Sequence, residues 1–276
     1  MLPFFRKIRY KLAKDNQFLK YSRYAVGEIL LVVVGILIAL YINNWNQERI
    51  ERKKEAVYLT EIRNNLVQDT IRINDVLSFN EAKRQAIIET YQIFEKASEN
   101  GFNLTDFAPK MNPLSQYRVF DPMQTAFNNL LDVEGIDLVS NLQLRTKLSD
   151  YYNADYEKGT QEVIKSRTRN FTDYAGYQLT TQETVQAFAN TRLDIKTNSM
   201  SELYKDHKMI TLMMHMAKTL EYHDIQMRSI KGKIQEMLDL LDTEIKSFDW
   251  GSIRPTGTMI FITLSINNQT NASLFP

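Results

Sequence analysis

From Tyr24 to Ile42 the chain reads YAVGEILLVVVGILIALYI, an apolar run with one charge, Glu28. As a helix, these 19 residues rise about 28 Å, close to the hydrocarbon thickness of a bilayer, so the run predicts a transmembrane helix over 24–42. Past it the pattern takes the helical period. Leu59, Ile62, Leu66, Ile73, Val76 and Leu77, then Ile87, Tyr91 and Phe94, predict one long helix from Glu48 to Ala97. Nothing between Asn43 and Lys54 breaks a helix, so this element is expected to leave the span without interruption, and Asn100-Gly101 ends it. Residues 101–122, with Pro109, Pro113 and Pro122, read as a loop. Asp121-Pro122 reads as the start of a short helix running to about Asp132, with Glu134-Gly135 as its stop. A further helix is expected from near Asn141. It carries Leu142, Leu144, Leu148, Tyr151 and Tyr152 and continues, or restarts, through Val163, Ile164 and Phe171 to Tyr177. Thr180-Thr181-Gln182-Glu183 marks another helix start, and the polar stretch from Asn190 to Ser201 a connection.

The clearest element is the last helix. Met209, Met213, Met216, Leu220, His223, Met227, Ile230, Ile234, Met237 and Leu241 alternate steps of four and three, the a/d seam of a coiled coil. Its methionines suit an ordinary bundle core or an adaptable partner-binding face. After Trp250 the character changes. Gly251, Pro255 and Gly257 punctuate a tail, 251–276, whose apolar run Met259–Ile266 is far too short to span a bilayer and reads as a lone strand or irregular segment.

Charge adds an orientation. The net charge of +1 conceals a basic N-terminal arm. Residues 1–23 carry Arg6, Lys7, Arg9, Lys11, Lys14, Lys20 and Arg23 against Asp15, a net +6, which leaves −4 for residues 43–276 once Glu28 is counted. The basic excess before the span places the N-terminus in the cytoplasm and the large domain outside. The run outlasts a usual signal-peptide core and no A-x-A-like site follows it, so it reads as an uncleaved signal anchor. Phe5, Ile8 and Leu12 give the arm an apolar stripe for the lipid surface, the alternative being a disordered basic tail that only sets topology. A mildly acidic domain behind a basic arm argues for membrane lipid as the arm's partner and against nucleic acid. Inside the span, Gly27, Gly35 and Ala39 form a small-residue stripe, while Tyr24, Tyr41 and Trp45 sit where aromatic belts form. Glu28 lies one turn inside Tyr24, within reach of the interface, which favours an interfacial role over proton transfer. Cysteine is absent, which excludes disulfides and thiolate chemistry, and low Gly and Pro content favours helix.

The same residues carry a likeness. Gly27-Glu28-Ile29, Gly35-Ile36-Leu37-Ile38-Ala39-Leu40 and Ile42-Asn43-Asn44-Trp45-Asn46 resemble the opening of an uncharacterised family of single-span membrane proteins from Bacteroidota. A second patch is similar to that family, from Asn129-Leu130-Leu131 through Gly135, Leu138-Val139-Ser140-Asn141 and Leu144-Arg145 to Leu148, Tyr151 and Tyr152. The resemblance implies an envelope location and a helical architecture, and supplies no reaction or ligand.

No catalytic signature stands out along the chain. His207, His215 and His223 are spaced by eight, which separates neighbours by about 12 Å and turns them by roughly 80°, so no two share a metal on one helix. His223 occupies the seam, where a polar residue sets register and a histidine can make pairing depend on pH, the plainer reading being a satisfied core histidine. No Walker loop, G-x-G-x-x-G, G-x-S-x-G or EF-hand loop occurs. The carboxylate pairs Asp239/Asp242 and Glu48/Glu51 read as solvated faces. Tyr151, Tyr152, Tyr156, Phe171, Tyr174 and Tyr177, near Arg145, read as packing, with a pocket between helices as the alternative.

The expectation is therefore an all-α protein. It comprises a cytoplasmic basic arm (1–23), a single transmembrane helix (24–42), an extracytoplasmic helical bundle (43–250) and a short irregular or β-like tail (251–276). The expected role is a membrane-anchored interaction or scaffolding protein of the cell envelope, sited in the inner membrane with its domain in the periplasm. It would have an envelope protein or a second copy as partner, no catalytic residues, no cofactor and no metal. The alternative is a small-molecule sensor signalling through a membrane partner; an arm of about 23 residues without an output domain weighs against it, and an enzyme using acidic residues ranks last.

Overall fold

The computed structural model describes residues 18–193 and 200–248; the residues expected to form most of the basic arm and the 251–276 tail lie outside these. Among the described residues there are seven α-helices and no strand, so the fold is all-α. Helix α1 is a single element, Phe18–Asn100, of 83 residues and about 125 Å. The expected span and the expected long helix are thus one rod, because no residue between them breaks the backbone ladder. From Val26 to Ile42 the large apolar side chains of this segment are exposed, with Leu31 and Tyr41 each 73% accessible. The segment is long and apolar enough to cross a membrane. From Glu55 onward one face of the same rod is buried. We call the bundle end facing the apolar segment the near end and the other the far end.

Helix α7, His207–Ser247, returns along α1. Tyr91 donates to the Ile210 carbonyl at 3.2 Å, Lys231 to Asn74 at 2.8 Å, and Arg63 to Asp242 at 2.5 Å, so the two helices run antiparallel in constant register. All ten seam residues from Met209 to Leu241 are buried. The methionine-rich seam is the core of the bundle, one of its two expected uses.

Helices α4 (Leu142–Tyr152) and α5 (Thr160–Leu179) lie end to end along α7. Lys147 meets Glu236 at 2.6 Å, Arg167 donates to the His215 carbonyl at 2.6 Å, and Tyr174 donates to Asp206 at 2.7 Å. As one number rises the other falls at a steady rate, so α4 and α5 form one antiparallel line interrupted at 153–159. This settles the continue-or-restart question in favour of a restart. Gly159, with φ of 78°, N-caps α5. The bundle therefore has three long lines: α1, α4 followed by α5, and α7.

The link from α1 to α4 departs from expectation in two places. Residues 104–115 form helix α2 (Leu104–Ser115) although Pro109 and Pro113 lie inside it. Each proline removes a ladder hydrogen bond and disfavours a helix interior. Tertiary packing outweighs that cost: Phe107 and Leu114 are wholly buried, and Phe107 sits 5.9 Å from Phe94 and 5.7 Å from Phe102 between ring centroids. Second, Asp121-Pro122 does not start a helix; α3 spans Thr125–Val133. Residues 116–124 instead form a non-helical strap, several of whose backbone polar groups are taken by side chains. Gln161 brackets Phe120, accepting from its N–H at 2.6 Å and donating to its carbonyl at 2.9 Å. Arg72 donates to the Asp121 carbonyl at 3.2 Å, and the Met123 N–H donates to Asp69 at 3.0 Å. These partners replace the helical ladder.

The strap returns the chain to the near end, where a tight turn lies between α3 and α4. Gly135 adopts φ 81° and ψ 160°, a conformation nearly confined to glycine. Asn141 then caps α4, accepting from the Leu144 N–H, as expected of a start near Asn141. No atom would meet a Cβ at Gly135, so the cost of a side chain there is backbone strain alone. Gly135→Ala is expected to lose about 1–3 kcal/mol. A thermal melt checks this: the midpoint should fall by about 2–4 °C for each kcal/mol, and an unchanged midpoint would refute the strain. Thr181 caps α6 (Gln182–Ala189) through a reciprocal pair with Thr184, matching the expected start. The expected Asn190–Ser201 connection falls partly on 194–199, outside the described residues.

Candidate functional site

The buried residues fall into two apolar clusters. The near cluster gathers Leu59, Ile62, Ile73, Phe127, Tyr152, Ile234 and their neighbours; the far cluster gathers Ile87, Phe107, Phe171, Met213 and Leu220. Between them α1, α5 and α7 contribute a belt of polar side chains. Lys83 is 0% exposed. Its ammonium donates to the Gln116 carbonyl at 2.5 Å and to Thr168 Oγ1 at 2.8 Å. Burial pushes its pKa down to about 7.

One turn earlier, Asn80 Nδ2 donates to Asp224 Oδ1 at 2.8 Å and faces His223 Nδ1 at 3.0 Å. An ionised carboxylate only accepts, so the amide nitrogen must face Asp224. His223 Nδ1 is then an acceptor and the ring proton is assigned to Nε2. Burial holds the His223 pKa below its usual value and so favours the neutral ring. Arg84 completes the belt, donating to Asp224 Oδ2 at 2.5 Å and to Glu81. A polar layer within an apolar seam sets register, since a slip along α7 would leave Asn80 and Asp224 buried without partners. His223 is thus a core histidine held through Nδ1 by Asn80, while its buried Nε2 meets no hydrogen-bond partner among the described residues, so the satisfied core histidine that the sequence suggests is met on one side of the ring only.

Asp69 is a second buried acid, and it is 0% exposed. It accepts from the Met123 N–H and, at 2.9 Å, from the Tyr151 hydroxyl. Burial raises its pKa, while both hydrogen bonds oppose the rise. Asp69 and Lys83 lie 14 residues apart on one continuous helix, about 21 Å along its axis. They serve different joints of the scaffold: Asp69 pins the strap and Lys83 ties α1 to α5.

The other sequence candidates disperse. His207 and His215 are exposed on α7, and no cluster of three or more potential metal ligands occurs among the described residues. The aromatic set divides between the clusters. Tyr152 stacks on Phe127 at 4.4 Å, and Tyr156 meets Phe120 edge-on at 5.6 Å. Phe171 belongs to the far cluster with Tyr174 packed against it, and Tyr177 is exposed. Arg145 is occupied by Asp137 and the Val139 carbonyl. These residues pack the core and do not converge on one pocket. Asp242 pairs with Arg63, and Asp239 accepts from Gln235.

Sequence reasoning missed a cleft of about 590 Å³ at the near end, lined by Trp45, Glu48, Arg49, Glu51, Arg52, Glu55 and the turn residues Asp137, Leu138 and Ser140. Its anchor is Glu55, 2% exposed. One carboxylate oxygen accepts from both the N–H and the hydroxyl of Ser140, each at 2.7 Å; the other accepts from Arg52 at 3.1 Å. Arg52 also donates to the Ser140 hydroxyl at 2.7 Å. Lys54 meets Glu134 at 2.8 Å beside it. The stripe Trp45, Glu48, Arg49, Arg52 and Glu55 is visible in the sequence, but its partner turn lies some 85 residues away.

Residues 28–172 match a family of unknown function, DUF6090. The chain belongs to this family. The DUF6090 segment takes in most of the apolar run, the rest of α1, the strap, the near-end turn, α4 and much of α5, and it stops before α7. It therefore contains the whole cleft and the α1 side of the belt. Both patches expected to carry a family likeness fall within it, save Gly27. No curated protein and no solved structure matches the chain.

Proposed function

We propose that this protein is a non-enzymatic, single-span anchor of the cell envelope, of the kind its opening resembles in Bacteroidota, and that it serves as an interaction or scaffolding module. The supporting observation is the 83-residue helix α1. It carries an exposed apolar segment and, without a break, becomes the spine of a polar-surfaced bundle. Such a rod places a binding surface at a set distance from the bilayer. The apolar segment acts as an uncleaved signal anchor in the inner membrane, the basic arm contacts cytoplasmic lipid, and the bundle stands in the periplasm. Its partners are envelope proteins or a second copy, with no nucleic acid, cofactor or metal.

The test is to tag the protein in its native host, cross-link intact cells and identify what co-purifies. Envelope proteins recovered in stoichiometric amount support the scaffold. A monomer that captures nothing overturns it. Orientation has its own test, because the chain has no cysteine. Ser98 is exposed near the far end of α1, so Ser98→Cys is expected to react with an impermeant maleimide in spheroplasts without lysis. Reaction only after lysis would invert the topology. The second reading, a small-molecule sensor, draws support from the near-end cleft, which touches both α1 and the turn leading into α4. Absence of any thermal shift across a broad metabolite and ion panel would remove it.

A further inference from the structure

A scaffold has no need of a charged cleft at the foot of its bundle, yet one is built there. We propose that the near-end cleft holds the headgroup of a phospholipid carrying a phosphate and a primary ammonium, that is, a phosphatidylethanolamine. The proposal rests on the single-span reading and adds to it a lipid class.

Depth is the first argument. Trp45, Glu48 and Arg49 follow Ile42 on the same unbroken helix, at rises of about 4.5, 9 and 10.5 Å, with Glu51 and Arg52 above them at about 13.5 and 15 Å. The headgroup layer adds about 5–7 Å beyond the hydrocarbon on each side. Cα–Cβ bonds on a helix lean toward its N-terminus, here toward the bilayer, so Trp45, Glu48 and Arg49 reach back toward that layer, and a headgroup drawn up into the cleft meets Glu51 and Arg52 above it. Trp45 is 57% exposed at the lower lip of the cleft, where an amphipathic ring suits the boundary between acyl chain and headgroup.

Charge arrangement is the second. At about 100° per residue, Glu51, Glu55 and Glu48 fall along one edge of the α1 face, and Arg52 and Arg49 along the other. The lining thus has an acidic side and a basic side. A purely anionic headgroup would meet Glu48, Glu51, Glu55 and Asp137 against two arginines. A zwitterion aligned across the face satisfies both edges, its phosphate on Arg49 and Arg52 and its ammonium on Glu48 and Glu51. Those two carboxylates lie at i and i+3, side by side on the helix surface, and a primary ammonium brings three donors to them. A trimethylammonium brings none.

Organisation is the third. Arg52 is aimed before any ligand arrives: buried Glu55 and Ser140 hold one guanidinium nitrogen while 56% of the side chain stays exposed. The cleft is closed where Glu55 grips Ser140 and open where Trp45, Glu48 and Arg49 are exposed, toward the apolar segment. Its volume of about 590 Å³ lies within the roughly 300–1,000 Å³ of small-molecule sites.

The experiment is native mass spectrometry of the full-length protein in detergent with equimolar phosphatidylethanolamine, phosphatidylcholine and phosphatidylglycerol of identical acyl chains. Ethanolamine adducts are expected to exceed each of the others by about tenfold. Glu48→Gln with Glu51→Gln is expected to erase the preference of ethanolamine over choline. Arg49→Gln is expected to weaken retention of both, and it spares the Arg52–Glu55–Ser140 lock. Equal retention of the three lipids, a preference for phosphatidylglycerol, or a preference untouched by these variants overturns the proposal. Alkaline carbonate extraction of native membranes separates the two levels. Release of the protein overturns the span and the headgroup site together, whereas retention in the pellet without ethanolamine preference overturns the headgroup site alone.

Discussion

Raising the pH from 7 to 9.5 is expected to stabilise the folded bundle by about 3 kcal/mol relative to a Lys83→Met variant followed over the same range. Lys83 is wholly buried, and burial lowers its pKa to about 7, against about 10.4 in an unfolded chain. Between those values the unfolded chain binds more protons than the native one, so stability rises with pH across that window. Below about pH 7 both states are protonated and the full penalty of burying the ammonium is present. Above about 10.4 the penalty is gone. His223 acts in the same sense at lower pH. Its folded pKa lies below the usual value, so stability falls as pH drops through the usual histidine range. The tyrosines act against this trend above about pH 10, since burial raises the pKa of Tyr151, Tyr152 and Tyr156. Chemical denaturation at pH 7, 8, 9 and 9.5 reads the effect. Met keeps the length of the lysine stem and removes the titration, so the contrast lies in slope against pH, even if the lost bonds to Gln116 and Thr168 lower the variant's stability throughout. Parallel slopes for the two proteins would show that Lys83 does not titrate in this window.

The seam of α7 was legible because it is a local pattern. Its ten positions need only the helical period, and each is buried as the spacing requires. The continuity of α1 was legible for a similar reason, since helix is the default where no breaker intervenes. The strap and α2 were not. Asp121-Pro122 has the chemistry of a helix start, but Asp69, Arg72 and Gln161, distant in sequence, take the backbone groups of 120–123. Pro109 and Pro113 read as loop residues until Phe107 and Leu114 find the far cluster. The cleft was hidden for the same cause, because the residues that fold Glu48 and Arg52 into a site are Asp137 to Ser140. What failed to show in the sequence is in each case a contact between distant segments. The division of the core also needed the third dimension. Lys83 and Asn80 look like surface positions of an amphipathic helix until α5 and α7 close over them.

That division makes Phe171→Ala the sharper test of how the bundle holds together. Phe171 is wholly buried in the far cluster, and removing its ring is expected to cost about 3–5 kcal/mol. The loss should not be shared evenly. Continuous apolar packing transmits a cavity's strain through a core, but here the polar belt of Asn80, Lys83, Thr168, His223 and Asp224 stands between the clusters. The hydrogen bonds it makes take no contribution from Phe171. The far half is therefore expected to open as a unit of its own. Native-state hydrogen exchange on the variant should show protection falling in α2, α5 and residues 207–220. Residues 56–76 and 227–241 should keep the protection they have in the parent protein. The reciprocal change, Ile73→Ala in the near cluster, should invert the pattern, with the strap and α4 losing protection first because Ile73 packs in the cluster they cover. Uniform loss along α1 and α7 in both variants would mean that two unbroken helices couple the clusters more strongly than the belt divides them. The bundle would then be one cooperative unit, and the belt would serve register alone.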